Sequence, residues 1–288
     1  MIAGSLPGAG RTRLRTRTWA DDTTEATGRV VIVHGLGEHS GRYAEFARSL
    51  VSRKVAVLAY DQRGHGESEG RRGVGARFED FLDDLDEVLR VAREELPGQG
   101  DPVLLGHSLG GLVTLRYLQT RSLPVAGAVL SAPWLRTAVA VPPWKRAARR
   151  LLGRVAPDLA IPAGLDTSLL TRDPEKQREY EEDPLVHDRI SAGLFDAAEE
   201  AQERALATPP PVGVPLLILV PLADGVADAG TTRRYVDALD GPVTVRLLEG
   251  FRHEPLNDVG RAHVYEIVVE WISRRFCGEP ASGARVDE

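Results

Sequence analysis

Pro102-Val103-Leu104-Leu105-Gly106-His107-Ser108-Leu109-Gly110-Gly111 is the stretch that decides the fold. A short apolar strand, Pro102 to Leu105, runs into a serine bracketed by glycines, and a helical pattern from Leu109 to Gln119 follows at once. G-x-S-x-G in that setting is a strand-to-helix turn so sharp that the serine hydroxyl projects from the end of the sheet. The glycines permit the turn and let neighbouring backbone pass closely. The plain alternative is an ordinary turn with an incidental serine. The strand before it and the helix after it argue against that reading.

Outward from this turn, short apolar runs alternate with helical patterns, the signature of an α/β architecture with a mostly parallel central sheet. Arg29 to His34, Val55 to Tyr60, Val125 to Leu130, Pro215 to Val220 and Val243 to Leu248 read as further strands. None alternates with polar residues, so helices are expected on both faces of the sheet. Phe78, Phe81, Leu82, Leu85, Leu89 and Ala92 recur at helical spacing, with Asp and Glu on the opposite face. Val259 to Phe276 repeats the pattern, with Asn257 or Asp258 available as its N-cap. Arg11 to Trp19 alternates Arg or Leu with Thr and predicts an antiparallel edge strand.

Trp134 to Thr208 breaks the rhythm. It holds no convincing strand, several prolines and two or three helical segments, and about 75 residues is too long for an ordinary connection. The expectation is an inserted helical cap over residues 134–208 on a core formed by 1–133 and 209–288. The prolines at Pro209 to Pro211 return the chain stiffly to the sheet.

Composition excludes several classes. The 288 residues are 42% hydrophobic and 27% charged, which fits a folded globular chain. Cys277 is alone, so no intrachain disulfide or cysteine zinc cluster forms. The net charge is −6, and only Lys54, Lys145 and Lys176 among the 36 basic residues are lysines. That arginine skew reads as genome composition, and nucleic acid is not an expected partner. Val214 to Ala223, the longest nearly unbroken apolar run, has ten residues with two prolines, too short to span a bilayer. The N-terminus lacks the apolar region of a secretory signal, so a cytoplasmic location is the expectation.

A serine nucleophile needs a base, and the base needs an orienting group. With the site at the carboxyl ends of the strands, both partners belong in loops after later strands. Of seven histidines, His34, His39, His65 and His107 precede the serine, His187 falls in the expected cap and His263 in the last helix. His253 follows the strand Val243 to Leu248 and is the base candidate. Asp224 and Asp228 both follow the strand Pro215 to Val220. Asp224 lies nearer the strand end, whereas Asp228 precedes a helix and reads as an N-cap. His34-Gly35-Leu36-Gly37 follows its own strand. The backbone N–H groups of Leu36 and Leu109 are the candidate oxyanion donors. A phosphate-binding loop is the competing reading of His34 to Gly37, but neither G-x-G-x-x-G nor G-K-[ST] is present.

HGLGEHSGRY (34–43), DQRGHGESEG (61–70), GHSLGG (106–111), DPLVHD (183–188) and RHEPLND (252–258) occur in this order. Together they resemble the monoacylglycerol lipase and lysophospholipase branch of the α/β-hydrolases, grouped with the serine aminopeptidase-like (S33, Hydrolase_4) proteins. The resemblance spans residues 29–276. It implies the α/β-hydrolase fold, Ser108 as nucleophile, His253 as base, Asp224 as acid, and Leu36 and Leu109 as oxyanion donors. It also places Glu38 and Arg42 near the polar head of a substrate, where they would hold a glycerol group. The other reading of those two is an ion pair bracing the loop. Arg63, Gly64, His65 and Gly66 are read as shaping the neighbouring loop. The chain departs from the family at Val220-Pro221-Leu222-Ala223, where a His-Gly pair usually precedes the acid.

The implied activity is cleavage of a carboxylic ester through an acyl-enzyme, with monoacylglycerol as substrate and neither metal nor organic cofactor. The alternatives within the class are a lysophospholipase or a generic carboxylesterase. A prolyl-type aminopeptidase would need an acidic cap site, for which Glu175, Glu179, Glu181 and Glu182 are the candidates. A catalytically silent binding protein is the third alternative, although no triad member is missing. The basic, partly amphipathic segment Trp144 to Val155, with Leu159, Ile161, Leu165, Leu169 and Leu170, suggests a cap in transient contact with a lipid surface. The plainer reading has that apolar side facing the core and the arginines solvated.

Overall fold

A computed structural model describes residues 1–276, apart from 22, 24, 76, 123, 139–151 and 210–212. Its strands β1 (Ile2–Pro7), β2 (Arg13–Trp19), β3 (Gly28–Val33), β4 (Val55–Tyr60), β5 (Val103–His107) and β6 (Gly127–Ser131) form most of one sheet. Two more, β9 (Leu216–Pro221) and β10 (Val243–Leu248), complete it in the order β1-β2-β4-β3-β5-β6-β9-β10. From β4 to β10 all pairings are parallel, while β2 is antiparallel to both β1 and β4. Register aligns the carboxyl ends: Val33 lies beside Gly106, Gly106 beside Leu130, and Ser131 beside Leu219. The loops after β3, β5 and β9 therefore leave the sheet along one edge.

The longer helices among the described residues are α1 (Ala44–Val51), α2 (Glu79–Glu95), α3 (Leu109–Thr120), α4 (Pro174–Glu182), α5 (Ala192–Ala207), α6 (Ala229–Asp237) and α7 (Arg261–Phe276). Because side chains alternate along a strand, each apolar strand feeds two cores. Val31 and Val33 of β3 point into one core with Leu85 and Leu89 of α2, Leu112 of α3 and Leu194 of α5. Val30 and Ile32 point into the other, with Phe46 and Leu50 of α1 and Val268 and Ile272 of α7. That two-sided burial is why these strands read as unbroken apolar runs.

Three expectations need correction. Arg11 to Trp19 does not supply the edge, because β1 pairs outside β2 from Ile2 opposite Thr18 to Pro7 opposite Arg13. Only Leu6 of β1 is buried, so β1 carries no apolar pattern to read. The segment between β6 and β9 does contain strands. β7 (Ala160–Pro162) and β8 (Arg189–Ser191) form a separate antiparallel ribbon, each too short to show a period. The last helix starts at Arg261, not Val259, since Gly260 is left-handed (φ 90°). Among the described residues no helix is long and apolar enough to cross a membrane. Trp144 to Leu151, most of the basic amphipathic segment, lies outside the described residues, as do Pro210, Pro211 and Cys277.

Helix α2 also breaks its own pattern. Asp84 lies on the apolar face, 1% exposed, and both its oxygens accept from Arg63 at 2.7 Å while Oδ1 also takes the Ala9 N–H. Arg63 thereby ties the β4 loop to the helix, a structural role. Removing one partner of a buried pair strands the other charge, so Asp84→Ala is expected to cost about 3–5 kcal/mol in urea unfolding. Glu87→Ala, on the solvent face of α2, should cost under about 0.5 kcal/mol in the same measurement.

Candidate active site

Ser108 occupies the turn between β5 and α3 with φ 53° and ψ −114°, a left-handed conformation that side chains other than glycine rarely take. Such a residue costs on the order of 1–3 kcal/mol and persists only where its surroundings hold it. Its N–H donates to Ser131 O, and its carbonyl accepts from Leu112 and Trp134 N–H, each at 3.0 Å. The turn also demands glycine on either side. A methyl group at Gly106 would stand 2.3 Å from Gly110 O, and one at Gly110 would stand 2.0 Å from Val33 O. The end of β3 thus lies directly against the start of α3.

The His253 ring joins the serine to Asp224. Its Nε2 is 2.8 Å from Ser108 Oγ, and its Nδ1 is 2.8 Å from Asp224 Oδ2. Donation from Nδ1 to the carboxylate leaves Nε2 as acceptor for the serine proton. Asp224 Oδ1 accepts from Val226 and Ala227 N–H, which locks the carboxylate in place. The unusual Pro221-Leu222-Ala223 path still reaches His253, because Leu222 N–H donates to Leu248 O and Ala223 N–H to Phe251 O. Asp228 instead caps α6, accepting from Thr231 N–H, and pairs with Arg234. Burial by itself depresses the His253 pKa. The charge and hydrogen bond of Asp224, with Glu254 and Glu38 behind them, more than offset that, so the net shift is upward.

Leu109 is the first residue of α3, so its N–H has no acceptor within the helix and lies at the positive end of the helix dipole. Leu36 follows Gly35, whose Cα faces Ser108 closely enough that a methyl there would meet Ser108 Cβ at 3.3 Å. Both sequence-identified donors therefore sit in backbone that borders the serine.

Glu38 and Arg42 lie together in a buried cluster with a third residue. Glu38 Oε1 accepts from Gly35 N–H (2.6 Å) and Tyr43 OH (2.8 Å), and Oε2 accepts from Arg42 Nη1 (2.7 Å). Arg42 then forks onto Glu254, with Nη1 on Oε1 at 2.8 Å and Nη2 on Oε2 at 2.6 Å. The guanidinium offsets the desolvation that would raise the Glu38 pKa and holds it at about 2. Sequence reasoning missed Glu254, although it stands beside the base in RHEPLND. The signal was a carboxylate directly next to an assigned histidine.

The other motif blocks meet at the same place. His187 N–H donates to Gly37 O, and His39 Nε2 pairs with Asp183 Oδ2 at 2.8 Å, joining DPLVHD to HGLGEHSGRY. Asp61 of DQRGHGESEG accepts from Ser40 N–H, Arg17 Nη1 and Glu67 N–H. Asp258 of RHEPLND accepts from Arg172 N–H and Nε, Thr171 Oγ1, and Arg252 and Val259 N–H. The sequence offers Asn257 or Asp258 as the cap of the last helix; four of these donors make Asp258 the clamp between the β6–β9 segment and the His253 loop. Glu175 and Glu179, by contrast, face solvent and pair with Arg178 and Lys176, while Glu181 accepts from Thr167 Oγ1.

Comparison with known proteins agrees with this architecture. The family model Hydrolase_4 (serine aminopeptidase, S33) matches residues 24–260. The chain is 30% identical over 274 residues to the monoacylglycerol lipase of Mycolicibacterium smegmatis, covering 93% of this chain and 95% of that one. It is 34% identical over 259 residues to human monoglyceride lipase, covering 85% and 82%. An uncharacterized abhydrolase domain-containing protein of Dictyostelium discoideum is 31% identical over 265 residues; the match takes 91% of this chain but only 28% of that protein. The crystal structure of Paleococcus ferrophilus monoacylglycerol lipase superposes with a TM-score of 0.83 at 35% identity, covering 91% of this chain and 99% of that one. The chain belongs to the Hydrolase_4, serine aminopeptidase S33, family of α/β-hydrolases.

Proposed function

We propose that this protein is a serine carboxylic ester hydrolase that cleaves monoacylglycerol to glycerol and fatty acid through an acyl-enzyme. The observation that carries the reading is the Ser108–His253–Asp224 chain of two 2.8 Å contacts at the carboxyl edge of the sheet. Ser108 Oγ attacks the ester carbonyl carbon as His253 Nε2 takes its proton. Asp224 fixes the tautomer and stabilises the imidazolium. The Leu36 and Leu109 N–H groups receive the oxyanion. Collapse of the tetrahedral adduct breaks the bond to the alcohol, which leaves with the proton from His253. Water then attacks the acyl carbonyl by the same route, giving up one proton to His253, and releases the acid and the serine.

The substrate assignment rests on the monoacylglycerol and monoglyceride lipases named above, which match this chain along most of their length. An aminopeptidase would need a carboxylate held free for the substrate amine. Glu175, Glu179 and Glu181 of α4 have partners of their own and all four acidic residues of the helix are exposed, which favours the ester reading. Residues 134–208 act as the cap on the core of 1–133 and 209–288. Their described part adds no strand to the main sheet, and Leu169 and Leu170 carbonyls accept from His253 and Glu254 N–H, so this segment covers the base. The cap also presents Val155, Leu159 and Ile161 to solvent at 71, 49 and 45% exposure, an apolar edge for transient contact with a lipid surface. The buried Glu38–Arg42 contact supports bracing of the loop over direct capture of glycerol as the role of that pair.

Monolauroylglycerol turnover is expected in the wild type, with little on lysophosphatidylcholine and none on a prolyl anilide; Ser108→Ala should reduce glycerol release by at least about 10⁴-fold. Equal turnover by Ser108→Ala would overturn the assignment. A neutral base is required, so kcat/KM should fall as pH drops through a His253 pKa above the ordinary 6.5. Asp224→Asn should lower kcat roughly 10⁴-fold and move that acid limb to lower pH. Flotation with anionic liposomes should carry the wild type upward and leave a Val155→Asp, Leu159→Asp, Ile161→Asp triple variant at the bottom.

A further inference from the structure

We infer that Glu38, Arg42 and Glu254 form a second positioning unit for the reaction, holding the peptide of Leu36 in register with His253 and presenting a net negative charge to the imidazolium formed during turnover. The inference rests on the serine-hydrolase reading above.

The unit is continuous at atomic contact. Gly35, whose N–H bonds Glu38, is covalently joined to Leu36, the expected oxyanion donor. Glu254, at the other end, is covalently joined to His253. Arg42 bridges the two carboxylates with three hydrogen bonds of 2.6–2.8 Å. Side-chain exposures of 3, 9 and 5% for Glu38, Arg42 and Glu254 place the bridge out of solvent, where its geometry is fixed and its field is weakly screened. A shift of either loop relative to the other would have to break a forked, charge-assisted pair.

The charge count is what separates this unit from a simple brace. One carboxylate would neutralise Arg42 and hold the loop; the second leaves the buried cluster at −1. Burying an excess charge is costly unless something nearby answers it. Among the described residues the groups facing the cluster include Tyr43, Tyr180, Asn257, His34, His107 and Asp183, a further carboxylate that is paired with His39. Tyr43 OH and Asn257 Nδ2 donate neutral hydrogen bonds, and the Tyr180 ring lies 4.7 Å from the Arg42 guanidinium carbon. Burial keeps His34 and His107 uncharged, with His107 down to about 4. His253 faces Ser108, His107 and Asp224 as well, and it alone gains a proton in the reaction. Glu254 and Glu38 both act to raise its pKa, in the direction the argument requires. An interaction that strengthens only when the imidazolium forms lowers the barrier without tightening substrate binding.

The test compares wild type, Glu254→Gln, Glu254→Asp and Ser108→Ala on monolauroylglycerol, with rates normalised to the fraction labelled by a fluorophosphonate where Ser108 is present. Glu254→Gln keeps the shape and one acceptor but removes the charge. It should lower kcat roughly 10- to 100-fold with KM within about twofold. The acid limb of kcat/KM should move to lower pH, because less negative charge lets His253 lose its proton more readily. Glu254→Asp keeps the charge and should return the limb to its wild-type position even where kcat stays reduced. Glu38→Gln makes the same charge change from the other end and should shift the limb the same way, which covers the case of an unstable Glu254→Gln. Wild-type kcat and an unmoved limb in either folded glutamine variant would overturn the inference while Ser108→Ala remains inactive. Undiminished turnover by Ser108→Ala would sink the hydrolase reading itself.

Discussion

The left-handed backbone at Ser108 is the constraint on which the rest of the site depends. A non-glycine residue at φ 53° is held by its own N–H and carbonyl, and both reach across to the β6 end through Ser131 and Trp134. Those bonds exist only because β5 and β6 are in register, with His107 opposite Ser131. The register in turn depends on two cores that bury both faces of the strands. The same turn brings Gly110 against Val33 O, so the loop after β3 has one place to go, over the serine. A single strained residue thus converts the packing of the sheet into the position of the proposed oxyanion donor.

Around that point four of the buried carboxylates meet an arginine from another part of the chain, whereas Asp224 meets His253 and Glu38 meets Arg42 four residues on. Arg17 holds Asp61, Arg63 forks onto Asp84, Arg42 forks onto Glu254, and Arg172 holds Asp258. The planar guanidinium offers paired donors that match a carboxylate, whereas an ammonium offers one point of charge. The scarcity of lysine, three among 36 basic residues, therefore has a structural use besides any bias of composition. These pairs add little net stability, since desolvation consumes most of their attraction. What they contribute is register between segments 21 to 212 residues apart in the chain.

Much of this was legible in the chain. The six apolar strands follow from the runs themselves, the turn at Ser108 from G-x-S-x-G between a strand and a helix, and the candidate partners from the loops after later strands and the chain order that such a motif implies. β1 was not legible, because only Leu6 of it is buried and its pairing comes from the neighbouring strand. The β7–β8 ribbon was too short to carry a period. Asp84 looked like part of the polar face of α2, since nothing local says that Arg63, 21 residues earlier, waits on the other side. Glu254 and Asp258 stood in view inside RHEPLND, yet their partners Arg42 and Arg172 lie 212 and 86 residues away. Periodicity reports which face is buried; it does not report which charge meets which.

The histidines show how one site keeps a single proton where it is needed. His34, His65, His107 and His187 are all pushed down by burial, His107 to about 4, and stay neutral at ordinary pH. His253 is as deeply buried, and its ring centre is 5.0 Å from that of His107, yet it is pushed up. The difference is the partner. His107 faces a carbonyl, Ser131 O at 3.2 Å, whereas His253 faces the carboxylate of Asp224 at 2.8 Å. Desolvation acts on both rings alike, and a full negative charge on one of them reverses its sign. A positive charge on His107 would also oppose the imidazolium beside it, so its neutrality is part of the same arrangement. Two adjacent buried imidazoles driven in opposite directions separate the ring proposed to carry a proton through the reaction from a ring that stays neutral beside it.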